Sequence, residues 1–272
     1  MKLTICLVAY STKFTETVSY KQLNNMKSSI KESLNVIIFD NGSIDFSSEK
    51  KPSDFSSIVY YYNRDNEERG TRIAYQYALR ETKDEWFMLL DDDTRITETY
   101  ICKVFEELGH LSVSAICPQI FDKEIQISPT SSETIMNLKY PKKAGNYDED
   151  ITGISSGLVL SKLFMKKIGG FTNEFPLDYL DHWIFWQLRR HHQIIKVIDE
   201  KIYHQLSVQR LEELSKSRFV KIFTAEYYYY KNYQPEHLYS IRKKYVRMIV
   251  KGWLKGDIFS AKALIKIILG KK

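Results

Sequence analysis

Five apolar residues, Trp86 through Leu90, run straight into three consecutive carboxylates, Asp91, Asp92 and Asp93. A short apolar run of this kind reads as a buried strand. Like charges at that spacing are costly unless a cation or a ligand offsets them. Oxygen donors suit a hard divalent ion, which keeps several waters and binds substrate phosphates. In open α/β sheets, ligands sit just outside the carboxyl ends of the strands. The placement therefore points to a metal-assisted site for a phosphorylated substrate. The alternative is a solvated acidic turn in which Asp93 or Thr94 caps the next helix.

The rest of the chain sets this run in an α/β pattern. Strand-like segments at residues 2–9, 35–39, 58–62, 86–90 and 114–121 alternate with helical ones at 15–30, 71–80 and 98–108. That alternation predicts a mainly parallel central sheet flanked by helices, with right-handed crossovers. Asp40-Asn41-Gly42-Ser43 closes the second strand with a strong turn signal. Residues 121–151 are polar and carry Pro129, Pro141, Gly145 and the acidic Asp148-Glu149-Asp150. A segment so long without clear structure is a functional lid or disordered. Beyond it, strands are expected at 153–160 and 194–198, helices at 162–168 and 178–191, and a helical pattern from Leu211 onward.

With 272 residues the chain can hold one large α/β domain plus an appendage, or two small domains. The net charge of +6 is unevenly spread: residues 238–272 carry ten Lys or Arg against one acid, Asp257, leaving the remainder at −3. Basic character thus belongs to the tail, and no recognition motif for nucleic acid accompanies it. Cys6, Cys102 and Cys117 form no close pair, and two of them lie in apolar strands. Reduced core thiols of a cytoplasmic protein are the expectation. No leader-like segment opens the sequence, and no apolar stretch approaches the ~20 residues needed to span a bilayer.

Four segments follow one another in a telling order. The first strand runs into Tyr10-Ser11. Val36-Ile37-Ile38-Phe39-Asp40-Asn41-Gly42-Ser43-Ile44-Asp45 comes next, then Leu90-Asp91-Asp92-Asp93, then Gly157 and Gly169-Gly170-Phe171 leading to Leu180-Asp181. Together, over residues 2–210, they resemble the family 2 glycosyltransferases of the GT-A fold. Two positions depart from the family's pattern: Ser11 stands where Asn is usual after Tyr, and Leu180 where Glu is usual before Asp.

The resemblance implies a GT-A catalytic domain at 1–210 and a helical extension at 211–272. It places Ala9, Tyr10, Asp40, Asn41, Gly70, Asp91 and Asp92 beside a nucleotide-sugar donor, with Asp91 or Asp92 holding the ribose or a metal-bound water. Asp93 and His204 become ligands of Mn²⁺ or Mg²⁺, although a lone His at a strand end is as readily structural. Asp40 would accept from the imide of a uracil or thymine base, or else close an Asx-turn with Gly42. Asp181 is the expected general base; Asp178 competes for that role, or caps the helix. Arg69 or Arg72 would approach phosphate at a helix start, or lie solvated. The implied reaction is inverting transfer from a UDP- or dTDP-sugar to a hydroxyl of a capsule-like polysaccharide or a polyprenyl-diphosphate-linked glycan. Two rivals stand beside it. A sugar nucleotidyltransferase is disfavoured because residues 9–15 contain no Gly for a phosphate loop. The other is a non-catalytic partner that keeps the fold.

Tyr227 to Tyr230, followed by Lys231-Asn232, is similar to a stretch in bacterial rhamnosyltransferase-like members of the family. Further on, Ile241, Tyr245, Met248 and Ile249 share one helical face, with Lys244, Arg247 and Lys251 largely opposite. Phe259, Leu264, Ile265 and Ile268 extend the pattern past Trp253. Such a basic amphipathic pair reads as an element lying on the inner face of the cell membrane. Its alternative is packing on the domain or on a second copy of the chain.

Overall fold

The computed structural model describes residues 1–10, 12–52, 54–64, 69–110, 112–135, 140–203 and 214–270. Its centre is a four-strand parallel unit: β1 (Leu3–Ala9), β2 (Leu34–Asp40), β3 (Ser57–Tyr62) and β4 (Trp86–Asp91), in spatial order β3-β2-β1-β4. β1, β2 and β4 are almost wholly buried, so their continuous apolar runs need no alternation. In β3, by contrast, exposed and half-buried residues alternate, as suits the sheet edge.

Beyond β4 the sheet becomes mixed. β8 (Val159–Ser161) pairs antiparallel with both β4 and β5 (Val113–Asp122). β9 (Ile194–Tyr203) runs parallel to β5 and carries β7 (Gly145–Tyr147) antiparallel at the far edge, while β6 (Ile125–Ser128) folds back on β5. The α/β sheet of the GT-A type expected from the sequence is present.

Local departures have physical causes. The helix expected at 15–30 is broken in two: Thr17 caps α1 (Val18–Asn24) through its side chain, and α2 (Ser28–Lys31) follows separately. The strand expected at 153–160 shrinks to β8, because Gly157 takes a left-handed φ of 80° and lies close to Pro118, Ile202 and Tyr100. Among the described residues of 121–151, β6 and β7 join the sheet, so the segment is not without structure. β9 runs five residues past the expected end.

α3 (Thr71–Glu81) and α4 (Glu98–Glu107) cover opposite faces of the sheet, burying Ala74, Tyr75 and Ala78 in one apolar cluster and Tyr100, Ile101 and Val104 in the other. α5 (Lys162–Lys167) and α6 (Leu180–Arg190) join the α3 side.

The C-terminal helices α7 (Lys216–Asn232), α8 (Leu238–Lys255) and α9 (Ile258–Leu269) share that same cluster through Phe219, Phe223, Tyr229, Ile241, Tyr245, Ile249 and Leu264. Apart from exposed Phe259, the apolar stripe expected to face a bilayer therefore packs on the domain. Met248, Ile265 and Ile268 lie against the same core, partly buried. No helix among the described residues is long and apolar enough to cross a membrane.

Candidate active site

β4 delivers the three carboxylates to the carboxyl edge of the parallel unit, and their turn is fastened from behind. Ser19 in α1 donates through its hydroxyl to the carbonyls of Asp91 and Thr94, and through its N–H to the Asp92 carbonyl at 3.1 Å. The capping alternative does not form, since Thr97 caps α4 by accepting from the Tyr100 N–H. Asp91 is held by the Ser156 hydroxyl at 2.8 Å and the Tyr75 hydroxyl at 3.3 Å. Asp92 accepts from the Tyr10 N–H at 3.2 Å.

Burial pushes the Asp92 carboxyl up to about 6; the Tyr10 N–H opposes this, while the charges of Asp93 and Asp91 add to it. The sign of the consequence is fixed. Ionised Asp92 is penalised in the fold, so its cost is absent below the ordinary carboxylate value of 3.8 and fully present above about 6. In protein free of metal and nucleotide, Asp92→Asn is expected to raise stability by about 1–2 kcal/mol at neutral pH, after allowance for solvent screening. The gain should vanish on acidification. Urea unfolding across pH, with chelator present, reads it out; a variant no more stable than wild type at neutral pH would contradict it.

The carboxylates open onto a cleft of about 1010 Å³ lined by Tyr10, Asn41, Arg69, Gly70, Asp91, Asp92, Asp93, Ile154, Ser155, Ser156 and the segment 177–182. Its other wall is α7 and α8, with Arg218, Lys221, Glu226, Lys244 and Met248. Asp91, Asp92, Asp93 and Asp181, from distant parts of the chain, thus face one space.

Asp181 sits in the first turn of α6, where Oδ1 accepts from the His182 N–H at 2.8 Å and lies 3.0 Å from His182 Nδ1. Asp178 is differently placed. Arg218 of α7 grips it with two bonds of 2.5 and 2.6 Å, and burial raises its carboxyl against the pull of that guanidinium. Nor does Asp178 cap α6; Tyr179, in the left-handed region at φ 66°, occupies that position. The Tyr179 hydroxyl donates to buried Glu226 at 2.7 Å, which also accepts from Lys244 at 2.8 Å and the Tyr245 hydroxyl at 2.9 Å. The C-terminal helices therefore fasten the loop that presents Asp181.

The remaining expected residues divide. Asp40 is wholly buried, accepting from the Gly42 N–H at 2.7 Å and the Tyr60 hydroxyl at 2.8 Å, and burial raises its carboxyl. The Asx-turn forms, and Asp40 does not line the cleft; Asn41 does, its amide donating to the Gly70 carbonyl at 3.1 Å. Ala9 is likewise buried and contributes its carbonyl to the Asn41 N–H at 2.9 Å. Arg69 lines the cleft, whereas the Arg72 N–H donates to the Pro176 carbonyl at 3.2 Å. His204 and Ser11 lie outside the described residues.

Gly70 permits that close approach: a Cβ there would stand 2.1 Å from the Pro176 carbonyl oxygen. Its φ of −175° is ordinary extended backbone, so contact and not conformation selects glycine. Gly70→Ala should force the 176–178 loop away, costing about 1–3 kcal/mol in denaturant unfolding and weakening nucleotide binding. Unchanged stability would contradict the contact argument.

Residues 14–165, more than half of the chain, match the family model described as Glycosyl transferase family 2. The chain belongs to that family. No curated protein matches it. Among solved structures it is similar to the mannosyltransferase PcManGT from Pyrobaculum calidifontis in complex with GDP-Man and Mn²⁺, with 13% identity, TM-score 0.57, and 98% of this chain and 86% of that one covered. It is also similar to S. aureus TarS 1-349 in complex with UDP-GlcNAc, with 10% identity, TM-score 0.55, and coverage of 100% and 93%. Against a longer S. aureus TarS structure, at 13% identity and TM-score 0.55, 86% of this chain aligns and spans 40% of that one. At such identities the likeness concerns the fold.

The donor set of this family 2 glycosyltransferase suits a hard cation. Among the described residues no group of three or more His, Cys, Asp or Glu is arranged to hold an ion. A cation at Asp91–Asp93 would complete its shell with waters and substrate phosphate oxygens, the usual arrangement for Mg²⁺ on phosphorylated ligands. The sequence reading missed Tyr75, Ser156, Tyr179, Arg218, Glu226 and Lys244. On α7, Arg218, Ile222 and Glu226 follow at intervals of four and share one face. That spacing was the available signal.

Proposed function

We propose that the chain is an inverting glycosyltransferase that moves a hexose, galactofuranose or rhamnose from a nucleoside-diphosphate donor to a hydroxyl of a cell-surface polysaccharide or lipid-linked oligosaccharide. The observation that carries this reading is the shared cleft, lined by Asp91, Asp92 and Asp93 from the end of β4 and by Asp181 from α6. PcManGT was solved with GDP-Man and Mn²⁺, and TarS 1-349 with UDP-GlcNAc, which supports a nucleotide-sugar donor here.

Asp93, the most exposed of the three carboxylates, would hold Mn²⁺ or Mg²⁺ against the donor diphosphate, and His204 is proposed as a further ligand. The ion, when bound, supplies Lewis-acid stabilisation of the departing nucleoside diphosphate. Asp91, oriented by Ser156 and Tyr75, and Asp92, oriented by Tyr10, position the ribose or a bound water. Asn41 and Gly70 form the nucleotide side of the cleft, with Asp40 and Ala9 acting beneath them by fixing the turn.

Asp181 takes the proton from the acceptor hydroxyl as that oxygen attacks the anomeric carbon from the face opposite the leaving group. Asp178 is a poor alternative, because two charge-assisted bonds to Arg218 occupy both of its oxygens. At about 1010 Å³ the cleft is at the upper end of small-molecule sites, leaving room for an acceptor beside the donor. Buried thiols at Cys6 and Cys117 fit a cytoplasmic setting.

The test is release of nucleoside diphosphate from a panel of UDP-, dTDP- and GDP-sugars with Mn²⁺ or with chelator. Metal-dependent release from one donor supports the reading. No turnover and no metal-dependent nucleotide binding across the panel would instead mark a non-catalytic member that keeps the fold.

A further inference from the structure

α8 carries two apolar stripes, and only one of them is used by the fold. Ile241, Tyr245 and Ile249 are buried in the core. Tyr239, Val246, Val250, Trp253 and Leu254 point the other way, at 76%, 53%, 48%, 58% and 84% exposure. At 3.6 residues per turn these five fall within an arc of about 100°, with exposed Lys243 among them and Arg242 and Arg247 at its two edges, so the face is apolar and basic at once. Ile258 and Phe259, also exposed, open α9 beside the end of this stripe, where the Asp257 N–H donates to the Gly252 carbonyl at 2.8 Å.

Charge surrounds the stripe on one sign only. α8 contains Arg242, Lys243, Lys244, Arg247, Lys251 and Lys255 and no Asp or Glu. Lys243, Arg247, Lys251 and Lys255 are all exposed. Lys244 turns inward to Glu226, and Arg242 donates through Nε to the hydroxyl of buried Tyr227 at 3.0 Å.

We infer that this outer stripe of α8 seats on an anionic lipid surface, with the helix lying in the plane of the headgroups. Apolar side chains along the helix would enter the headgroup boundary, and the indole of Trp253 suits a region that is wet on one side and apolar on the other. Long Lys and Arg stems bury their methylenes while their charged ends stay among the headgroups. Charge complementarity selects lipid over a second copy of the chain. A two-fold pairing of this face would set one acid-free basic helix against another.

The inner side of the same helix places Lys244 and Met248 in the cleft. Docking would then bring the cleft to a surface where a lipid-linked acceptor resides; that consequence alone rests on the proposed function. Vesicle binding can be read without turnover, so the two ideas fail separately.

The experiment is co-sedimentation of the full chain with vesicles of phosphatidylglycerol and phosphatidylcholine in equal parts, and with phosphatidylcholine alone. Binding is expected to the first and to weaken with salt. Trp253→Ser with Leu254→Ser, and separately Lys243→Glu with Arg247→Glu, should each reduce it by at least about tenfold. Both pairs are exposed, so thermal unfolding should match wild type. Equal sedimentation of both double variants with wild type would overturn the inference, as would no binding to the anionic vesicles. A concentration-dependent dimer lost in the Trp253/Leu254 variant, without vesicle binding, would assign the stripe to a second copy instead.

Discussion

Asp181→Asn is expected to lower glycosyl transfer by about 10²–10⁴-fold, the usual contribution of a general base, while leaving nucleotide-sugar affinity nearly unchanged. The split follows from where the residue stands. Asp181 lines the cleft from α6, a different element from the carboxylates at the end of β4, and its hydrogen bonds run to its neighbour His182. Asparagine keeps the shape and can still accept from the His182 N–H, so the loop should hold. What is lost is the capacity to take a proton. Turnover with a suitable acceptor, alongside titration calorimetry of the donor, measures both halves. Full transfer by the variant would move the base to Asp178, and would then require Arg218 to release that carboxylate.

Asp93→Asn should act on the opposite half of the reaction. Removing a charged ligand at the donor phosphates is expected to cost about 10²–10³-fold in turnover, and metal-dependent nucleotide binding should weaken with it. Asp93 is exposed at the turn after β4, so stability should change little. Excess Mn²⁺ should rescue part of the loss, because a weakened site refills at higher ion concentration. Donor binding that is equally tight with and without metal, in both wild type and variant, would remove Asp93 from the role.

The two variants bracket what the sequence made legible. The run from Trp86 to Asp93 declared itself because a buried strand and three adjacent charges have few ways to coexist, and the turn did form at the carboxyl edge. Asp40-Asn41-Gly42 was also visible as a turn. Which of its side chains would face the cleft depended on Tyr60 reaching across from β3, a tertiary contact no local pattern carries. The same holds for the loop that presents Asp181. Arg218 meets Asp178 only because α7 packs back on the loop before α6, and Lys244 meets Glu226 only because α8 packs on α7. Read locally, Lys244 belonged only to the basic tail, and nothing but its helical spacing marked Arg218.

The amphipathic face of α8 shows the limit most plainly. Its strongest apolar stripe by spacing, Ile241, Tyr245 and Ile249, satisfies the core, as most such stripes do. The second stripe, through Trp253 and Leu254, stands out only once burial removes the first from the surface. β8 illustrates a different failure. The strand expected at 153–160 forms only at its end, because Gly157 takes a left-handed φ and the Ser156 hydroxyl bonds Asp91 instead.

The most direct test of the central claim is the anomalous scattering of Mn²⁺ in crystals grown with a nucleoside diphosphate. The account predicts a single strong peak bonded to Asp93, with the diphosphate against it and the open side of the cleft leading to Asp181. A nucleotide bound elsewhere on the sheet, or manganese density away from residues 91–93, would contradict it.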